Sequence, residues 1–299
     1  MSTPNDNDAQ QSQFVSTTAS CWLMHVPAGW AATFNNKKFD WAFETEPETQ
    51  LHDRKIFWPR GKVLGGSSSI NGMIYIRGVP IDFASWVQAG ATGWSWEEVL
   101  PYFKKSAGAE HRSGSPFHSS TGPLKISPAG SSDKINKAFI NACIQAGAKE
   151  NLDFNGNEQN GVGVYDSTIY KGIRSSSRKS YLHRNFKNLT ILKNERILKV
   201  LIDKDKVTGV QLNDRILFAN KEVILCLGAF GTPQCLMLSG IGPEDHLKHH
   251  GIDVKLNLPG VGSSLYDHPN FPVHFNLKEK ELSMSRFQRI DKAIIMGLQ

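Results

Sequence analysis

Hydrophobic and polar positions along the chain follow a strand-like period in some segments and a helix-like period in others. Strict alternation in "FDWAFET", which begins at Phe39, predicts a strand. From Leu189 onward, "LTIL", "ILKVLID" and "VTGVQL" predict three further strands, the last two joined by a tight Asp-Lys turn. "MIYIRG" is expected to form another short strand, and the apolar run "KEVILCLGA" is typical of a strand buried on both faces.

Two segments between these strands have the period of an amphipathic helix. In "GWSWEEVLPYFKKSAGAE", Ser95 and Glu98 have the spacing of a capping box, and Pro101 is expected to kink or split the helix. In "SSDKINKAFINACIQAGA", Asp133 can cap the start of the helix and Gly147 can end it. The apolar stripe of this second helix consists of Ile135, Ala138, Phe139, Ala142 and Ala146. The loose mixture of helices and strands predicts an α/β or α+β fold.

Composition places the chain among globular proteins, because its 299 residues are 39% hydrophobic and 21% charged. The first twenty residues contain neither a Lys or Arg nor an apolar segment, so they are not expected to be a secretory signal. Residues 1–20 are predicted to be a disordered polar tail, with order beginning near Cys21. The sequence has no apolar run of transmembrane length, and its four cysteines form no C-x-x-C pair. We therefore expect a cytoplasmic protein with reduced thiols; the sequence does not decide membrane association.

The net charge of +6 raises the question of a nucleic-acid partner. The densest basic segment, Lys171–Arg184, holds five Lys and Arg residues. Neither zinc-finger spacing nor an aromatic-basic RNA motif accompanies it, so no nucleic-acid partner is expected. Salt-sensitive binding of DNA or RNA would be the signature of that alternative.

A glycine- and serine-rich loop lies in "WPRGKVLGGSSSINGMIYIRG" (58–78), and it has neither P-loop spacing nor a G-x-G-x-x-G motif. Gly65 and Gly66 allow the backbone to approach a ligand closely. The serine hydroxyls, the amide of Asn71 and the charges of Arg60 and Lys62 supply polar groups. From the residues alone, the loop fits a nest for a pyrophosphate or for the polar edge of a planar cofactor, and it fits an ordinary surface turn equally well.

The run "VILCLGAFGTPQCLMLSGIG" (223–242) predicts a buried strand, a glycine turn and a helix. Thr232 is expected at the N-cap of this helix and Pro233 at its first position. In open α/β sheets, ligands bind at the carboxyl ends of such strands and near helix N-termini. Plain packing of a strand against a helix is the simpler interpretation of this segment.

Histidines and serines offer weaker candidates for chemistry. "HLKHH" places His246 and His250 one helical turn apart, but without a nearby third ligand a favourable interaction with a helix C-terminus explains them better, and no metal is expected. His268, beside Asp267 in "YDHP", has the chemistry of a base, although a structural role is favoured. The serine run lacks G-x-S-x-G, which excludes the nucleophile elbow of a hydrolase.

Several segments, taken together and in order, resemble the glucose-methanol-choline (GMC) family of flavin oxidoreductases. "RGKVLGGSSSINGMIYIRG" followed by "DFASW" is similar to the first signature of the family, and "GAFGTPQCLMLSGIG" is similar to the second. "WAFETEPE", "GIRSSSRKSYL" and "LPGVGSSLYDHP" also resemble family segments, closest to the choline and alcohol dehydrogenase branch. Five ordered motifs that cover the chain from about Trp22 onward are far more specific than one glycine-rich loop.

The resemblance implies a Rossmann-like FAD-binding domain, a substrate domain built on an antiparallel sheet, and oxidation of an alcohol by hydride transfer to FAD. By position, it implies that the first part of the loop borders FAD and that residues 71–74 run past the pyrophosphate and the ring. It also implies that the backbone of Ile197 meets the adenine. The cofactor-binding residues implied in this way are Val63, Gly65, Gly66, Ser67, Ser68, Asn71, Gly72, Met73, Ile74 and Ile197.

Two parts of the family pattern are not found in this sequence: the opening βαβ unit with G-x-G-x-x-G, and the C-terminal region that carries the catalytic histidine. We therefore expect the incomplete, central part of a GMC enzyme, with residues 21–268 as the FAD-binding region and 269–299 as the start of the substrate domain. A small alcohol is the expected substrate; the sequence identifies neither a catalytic residue nor an electron acceptor. Such a chain is expected to be a poor enzyme alone, because no positioned base accepts the alcohol proton. The alternative is a non-catalytic remnant or interaction module without flavin chemistry.

Overall fold

The computed structural model describes residues 12–16, 22–129, 134–182, 186–268, 270 and 272–278. The chain divides into two compact units, which we call unit 1 (residues 1–17 and 188–274) and unit 2 (residues 18–187 and 275–299). Cys21, Asp133 and residues 279–299, on which some expectations fall, lie outside the described residues. The boundary predicted at residue 268 stays a prediction, because it delimits a family region rather than a compact unit.

The secondary structure consists of short strands and of helices that are mostly two to three turns long. The helices are α1 (Pro80–Gln88), α2 (Trp96–Ser106), α3 (Lys134–Gln145), α4 (Ser177–Tyr181), α5 (Gly228–Leu238) and α6 (Glu244–His249). The strands are β1 (Ser12–Ser16), β2 (Phe43–Glu44), β3 (Phe57–Trp58), β4 (Ile74–Tyr75), β5 (Ala107–Gly108), β6 (Leu124–Lys125), β7 (Ser127–Pro128), β8 (Asp166–Ser167), β9 (Ile169–Tyr170), β10 (Ile173–Arg174), β11 (Leu189–Lys193), β12 (Lys199–Asp203), β13 (Lys206–Gln211), β14 (Ile216–Phe218), β15 (Ile241–Gly242) and β16 (Leu256–Asn257). None of the helices in the described part of the chain combines the length and the apolar character that crossing a bilayer demands.

Unit 1 is built on the antiparallel sheet β12–β13–β14. Val200 pairs with Val210 across β12 and β13, and the turn Lys204–Asp205 has positive φ at both residues (44° and 64°). Positive φ at both central residues is the geometry of a tight hairpin turn, so the tight connection is confirmed, with its turn at Lys204–Asp205 rather than at an Asp-Lys pair. Leu212 and Cys235 complete the buried core, to which α5 contributes the cysteine.

Strand β1 lies parallel to β11, from Ser12 opposite Leu189 to Ser16 opposite Lys193. These five residues depart from the predicted disordered tail. Backbone pairing with a neighbouring strand does not require apolar side chains, so the polar composition of this segment did not signal it. The other residues of the predicted tail, 1–11 and 17–20, lie outside the described part of the chain.

The apolar run before α5 differs from its prediction as a strand buried on both faces. Residues 223–227 belong to no sheet in the described chain. Val223, Leu225 and Leu227 pack against the core of unit 1, whereas Ile224 is 74% exposed and Cys226 is also exposed. One face of the segment is therefore covered by the core of unit 1, and no described residue of the core covers the other face.

Helix α5 begins earlier than predicted, at Gly228. Thr232 lies inside the helix, and its Oγ1 accepts a hydrogen bond from the N–H of Leu227 at 3.2 Å. Pro233 is therefore the sixth residue of the helix rather than the first. Because proline has no N–H, the helix lacks one backbone hydrogen bond to a carbonyl of its first turn, and it continues past Pro233 without this bond.

Unit 2 combines small sheets with the helices α1 to α4. Its central sheet is antiparallel, in the order β4–β8–β7, and the pairs β2–β3 and β9–β10 are also antiparallel. Phe83 of α1 packs against Trp96 and Phe103 of α2, with ring centroids 5.7 and 5.9 Å apart. Two further buried clusters complete the packing; they consist of Met24, Phe39 and Val63, and of Ala107, Ala109 and Ile126 with Tyr75 beside them.

Local signals predicted the start of α2 and the end of α3. Ser95 caps α2, since its Oγ accepts from the Glu98 N–H at 3.3 Å while Glu98 accepts from the Ser95 N–H at 3.0 Å. Pro101 lies within α2 without splitting it. Gly147, at φ 96°, follows the end of α3 as predicted. The apolar stripe of α3 is not buried, however, and Phe139 is 64% exposed.

Candidate functional site

The glycine- and serine-rich loop folds into a tight turn followed by a short 3-10 helix at Gly66–Ser69. A Cβ on Gly61 would lie 2.3 Å from the carbonyl carbon of Gly66, so two parts of the loop backbone touch at this point. Gly65 has φ 90°, and a Cβ there would lie 2.6 Å from Ser69 Oγ. Only glycine fits both positions without displacing the loop.

The serine hydroxyls of the loop bond to the protein itself. Ser67 Oγ accepts from the Gly61 N–H at 3.1 Å. Ser68 Oγ donates to the Gly65 carbonyl at 2.6 Å and accepts from the N–H of Ser177, the first residue of α4, at 3.0 Å. Ser69 Oγ donates to the Leu64 carbonyl at 2.9 Å. The run of serines therefore shapes the loop and ties it to α4.

The segment Asn71–Gly72–Met73 forms a side-chain-stabilised turn that leads into β4. Asn71 Oδ1 accepts from the Met73 N–H at 3.2 Å. Met73 has φ 63°, an uncommon value for a residue with a side chain, and its carbonyl accepts from the Thr168 N–H at 2.8 Å. Residues held at positive φ by their surroundings are frequent at ligand sites. β4 then continues into the sheet opposite Asp166 and Ser167.

Arg174 is the buried anchor of this region. It is 1% exposed, and its Nη1 donates to the carbonyl and the Oδ1 of Asn71, both at 2.8 Å, and to the Ser68 carbonyl at 3.3 Å. Its Nε donates to the Met24 carbonyl at 2.9 Å. Burial lowers the pKa of Arg174 to about 10, so the guanidinium remains charged at neutral pH. One cation thereby joins the loop, 103 residues away from it in sequence, to Met24, 150 residues away from it.

Several cations lie near one side of the loop. The N–H of Arg174 donates to the carbonyl of His25 at 3.0 Å. Burial lowers the pKa of the His25 imidazole, and the charges of Arg178, Lys179 and Arg174 lower it further. Residues 58–80 and 167–194 contain no Asp or Glu. Asp40 contacts the start of the loop, where its Oδ1 accepts from the Arg60 N–H at 2.8 Å. An anionic ligand would therefore meet a positive potential on the side of the loop that contacts α4.

The predicted cofactor residues differ in exposure. Val63 and Met73 are buried, whereas Asn71, Gly72 and Ile74 are exposed. Gly65, Gly66, Ser67 and Ser68 lie on the same continuous loop. Ile197 belongs to unit 1, where it packs against the core formed by β12, β13 and α5. The structure thus brings together the predicted residues from 63 to 74, and their role as cofactor ligands stays a prediction.

The loop leaves space for a ligand on its open side. No described protein atom lies within 4 Å of a Cβ built on Gly66 or on Gly72. Asn71 is exposed, and neither its Nδ2 nor the N–H of Gly72 bonds to another described residue. Free donors, open space and nearby cations fit the diphosphate of a dinucleotide. Two cavities of about 430 and 400 Å³ lie elsewhere in unit 2, and neither is lined by residues of the loop.

A second polar network holds the strand that pairs with β4. Asp166, 2% exposed, accepts from Arg112 Nε at 2.7 Å and bonds to His111 Nε2 at 2.8 Å. Burial alone would raise the pKa of Asp166, but these hydrogen bonds outweigh it and the pKa lies below its ordinary value. His118 Nε2 bonds to Asp153 Oδ2 at 2.9 Å. Sequence reasoning found none of these pairs, because their members lie 35 to 55 residues apart without a motif.

The structure adds no observation in favour of a metal at His246 and His250 or of a catalytic role for His268. The rings of His246 and His250 lie 4.7 Å apart, and the described residues contain no group of three or more metal-ligating side chains. His268 is exposed, and its backbone N–H donates to Asp267 Oδ1 at 2.8 Å. Of the basic segment Lys171–Arg184, His183 and Arg184 lie outside the described residues.

Comparison with protein-family models matches residues 15–270 to "GMC oxidoreductase". An oxygen-dependent choline dehydrogenase of Rhizobium etli is 41% identical over 257 residues, which are 83% of this chain and 46% of that protein. An alcohol dehydrogenase [acceptor] of Pseudomonas putida is 42% identical over 254 residues, 82% of this chain and 46% of that protein. The chain spans about half the length of the curated relatives it matches.

Solved structures agree with this match. Pyridoxine 4-oxidase from Mesorbium loti superposes with a TM-score of 0.79 at 30% identity, covering 85% of this chain and 51% of that one. Formate oxidase from Aspergillus oryzae superposes with a TM-score of 0.74 at 29% identity, covering 82% of this chain and 46% of that one. The predicted α/β fold class is confirmed by this similarity and by the mixed helices and sheets of the two units.

Proposed function

Because the chain belongs to the GMC oxidoreductase family, we propose that it forms part of an FAD-dependent oxidoreductase that acts on the CH–OH group of an alcohol or a choline-like substrate. FAD is the cofactor of this family, and the predicted oxidoreductase class agrees with the names of the relatives. The observation that carries the proposal within this chain is the loop at residues 61–74, with its open face, its free donors and its cationic surroundings.

When bound, FAD supplies the acceptor for the hydride that leaves the carbinol carbon. The residues of this chain bind and orient it. Asn71 Nδ2 and the N–H of Gly72 are available as donors to phosphate or ring oxygens. The buried contacts of Val63 and Met73 hold the loop against the body of unit 2, and the positive φ of Met73 fixes the exit into β4. Ile197, in unit 1, is proposed to contact the adenine through its backbone.

Substrate and electron acceptor are proposed only as classes. The two curated relatives carry different names, one a choline dehydrogenase described as oxygen-dependent and the other an alcohol dehydrogenase with an unspecified acceptor. What they share is a CH–OH group as the point of oxidation. A non-catalytic module without flavin chemistry is the competing proposal, and the family match over residues 15–270 favours the flavoenzyme.

Flavin retention tests the proposal directly. The purified chain would be mixed with FAD, freed of unbound ligand and examined by visible absorption spectroscopy. We expect the absorption bands of bound flavin to remain. A colourless, folded wild-type protein would contradict flavin binding by this chain on its own. If the protein retains flavin, alcohol-dependent reduction of a dye would then be measured.

Gly72→Leu supplies the matched variant for this experiment. Gly72 has no positive φ, and no described atom lies within 4 Å of its Cβ position, so the substitution leaves the fold intact and fills the open face of the loop. We expect the variant to lose at least about tenfold in FAD affinity, equivalent to roughly 1.4 kcal/mol. Ala142→Leu, on the exposed surface of α3, adds comparable volume and is expected to keep wild-type affinity. Equal affinities for all three proteins would place the cofactor elsewhere.

A further inference from the structure

Arg174 is a buried cation whose described partners are all neutral. Its donors reach the carbonyl oxygens of Met24, Ser68 and Asn71 and the amide oxygen of Asn71. No ion pair joins it to a carboxylate among the described residues, and its Nη2 is buried without a hydrogen-bond partner. A buried charge without a countercharge is costly, so its position here calls for an explanation.

Two other arginines of the chain are paired with carboxylates. Arg112 lies 2.7 Å from a carboxylate oxygen of Asp166, and Arg215 is paired with Glu195. Arg174 instead lies near two other cations, Arg178 and Lys179. The charges of all three lower the pKa of the His25 imidazole. Like charges in one place repel one another and are stabilised when an anion binds among them. The cluster is therefore poised for an anionic ligand.

The contacts of Arg174 also determine the shape of the loop. By drawing in the carbonyls of Ser68 and Asn71, the guanidinium turns these acceptors toward the protein interior. Its bond to Asn71 Oδ1 fixes the amide of this side chain, which leaves Nδ2 as the group available to a ligand. Acceptors held inside and donors left outside are the arrangement that an anion site needs.

We propose that Arg174 is a positioning residue of the cofactor site: it holds the loop at residues 65–74 in its binding conformation, and its charge attracts the diphosphate of the dinucleotide. Arg174 acts through Ser68 and Asn71, because its own side chain is buried. This inference rests on the proposed function, and it adds a residue that none of the sequence signals for cofactor binding had singled out.

Arg77 provides a matched control within unit 2. Like Arg174 it is buried, at 5% exposure, and its Nη2 has no partner. Its Nη1 donates to the Phe117 carbonyl at 2.7 Å and its Nε to Tyr75 Oη at 3.1 Å, so its side chain bonds to the strand that follows the loop and to Phe117, and to no residue from 65 to 74. Substituting either arginine removes a buried cation and a carbonyl contact, but only Arg174 touches the loop.

The experiment compares Arg174→Met, Arg174→Lys, Arg77→Met and Arg77→Lys with the wild-type chain by titration with FAD. We expect Arg174→Met to raise the Kd for FAD by about tenfold or more, equivalent to roughly 1.4 kcal/mol. Arg174→Lys should lie between this variant and wild type, since Lys keeps the charge but loses the planar fork of donors. Both Arg77 variants should bind within about twofold of wild type. Wild-type affinity in Arg174→Met, or equal losses in the Arg77 and Arg174 variants, would overturn the inference.

Hydrogen exchange of the ligand-free proteins separates this inference from the proposed function. The amides of Ile70, Asn71 and Met73 are bonded within the loop and report on its conformation. They should exchange faster in Arg174→Met than in wild type and in Arg77→Met. If Arg174→Met does not fold, Arg174→Lys replaces it in this comparison. If the wild-type chain retains no FAD, the proposed function of this chain fails, and the exchange data alone decide the role of Arg174. Unchanged exchange in the Arg174 variants would then overturn it.

Discussion

At the scale of single residues, Gly65 shows how closely the loop is packed. Its φ of 90° is costly for any residue with a Cβ, and a Cβ would also lie 3.1 Å from the backbone nitrogen of Arg178 in α4. Gly90 has a similar φ, 100°, but no atom within 4 Å of its Cβ position. A substitution at Gly90 therefore has only the conformational cost of positive φ, whereas a substitution at Gly65 has this cost and a steric cost as well.

We predict that Gly65→Ala destabilises unit 2 more than Gly90→Ala does. Positive φ costs an alanine about 1–2 kcal/mol at either position. At Gly65 the contact with Ser69 Oγ and with α4 adds to this cost, and the displaced loop should also bind FAD more weakly. Urea unfolding followed by tryptophan fluorescence measures both variants. Equal losses would mean that the loop moves aside without penalty.

His118 is the residue whose burial ties stability to pH. It is 4% exposed, and its Nδ1 has no partner among the described residues. Burial lowers the pKa of His118 below 6.5, outweighing the opposite effect of Asp153. The folded state then binds fewer protons than the unfolded state, so this contribution is complete above pH 6.5 and is lost as the pH falls toward the folded pKa. His25, also lowered by burial, acts in the same direction.

We predict that unit 2 loses stability between pH 7.5 and pH 5.5, and that His118→Gln loses less over the same interval. The variant should be less stable than wild type at pH 7.5, because the imidazole bond to Asp153 is replaced by a weaker one. Urea midpoints at the two pH values measure the difference. His246→Gln, at an exposed position of α6 in unit 1, should keep the wild-type dependence. A His118→Gln variant with unchanged pH dependence would contradict the assignment.

At the scale of elements, most short-range signals were reliable, although Thr232 and Pro233 misplaced the start of α5, and long-range contacts were not visible in the sequence. The hairpin β12–β13 and the capping box of α2 depend on residues within one turn of each other, so the sequence predicted both. The loop at 61–74 was predicted as a candidate site from its glycines and from its resemblance to a family signature. Arg174 was missed because its contacts lie 103 to 150 residues away, and no periodicity encodes such a distance.

The segment 223–227 shows why composition alone misjudged a burial pattern. An apolar run was expected to be covered on both faces, yet only Val223, Leu225 and Leu227 pack against the core. We predict that Leu225→Ala lowers the protection of β12 and β13 amides against hydrogen exchange by the equivalent of about 2 kcal/mol. Ile224→Thr, at a position that is 74% exposed, should change it by less than about 0.5 kcal/mol. A large effect of Ile224→Thr would show that its face is covered in solution.

At the scale of the whole molecule, the two units can be observed separately. All seven tryptophans lie between Trp22 and Trp96, within unit 2. Tryptophan emission therefore follows the unfolding of unit 2 alone, whereas far-ultraviolet circular dichroism follows both units. The loop at 61–74 and Arg174 also belong to unit 2, so ligand binding at the loop and its optical probe share one folding unit.

We predict that FAD raises the urea midpoint of the tryptophan transition in a concentration-dependent way. A ligand that binds only the folded state stabilises it by about 2.7 kcal/mol at a hundred times its Kd. With a urea dependence of about 1–3 kcal/mol per molar, the midpoint should rise by roughly 1–3 M. Gly72→Leu should unfold as wild type does without FAD and should show little shift with it, because its side chain occupies the open face of the loop. A wild-type protein that retains flavin but shows no shift of this transition would place the binding energy outside unit 2, and the loop would then be a structural turn.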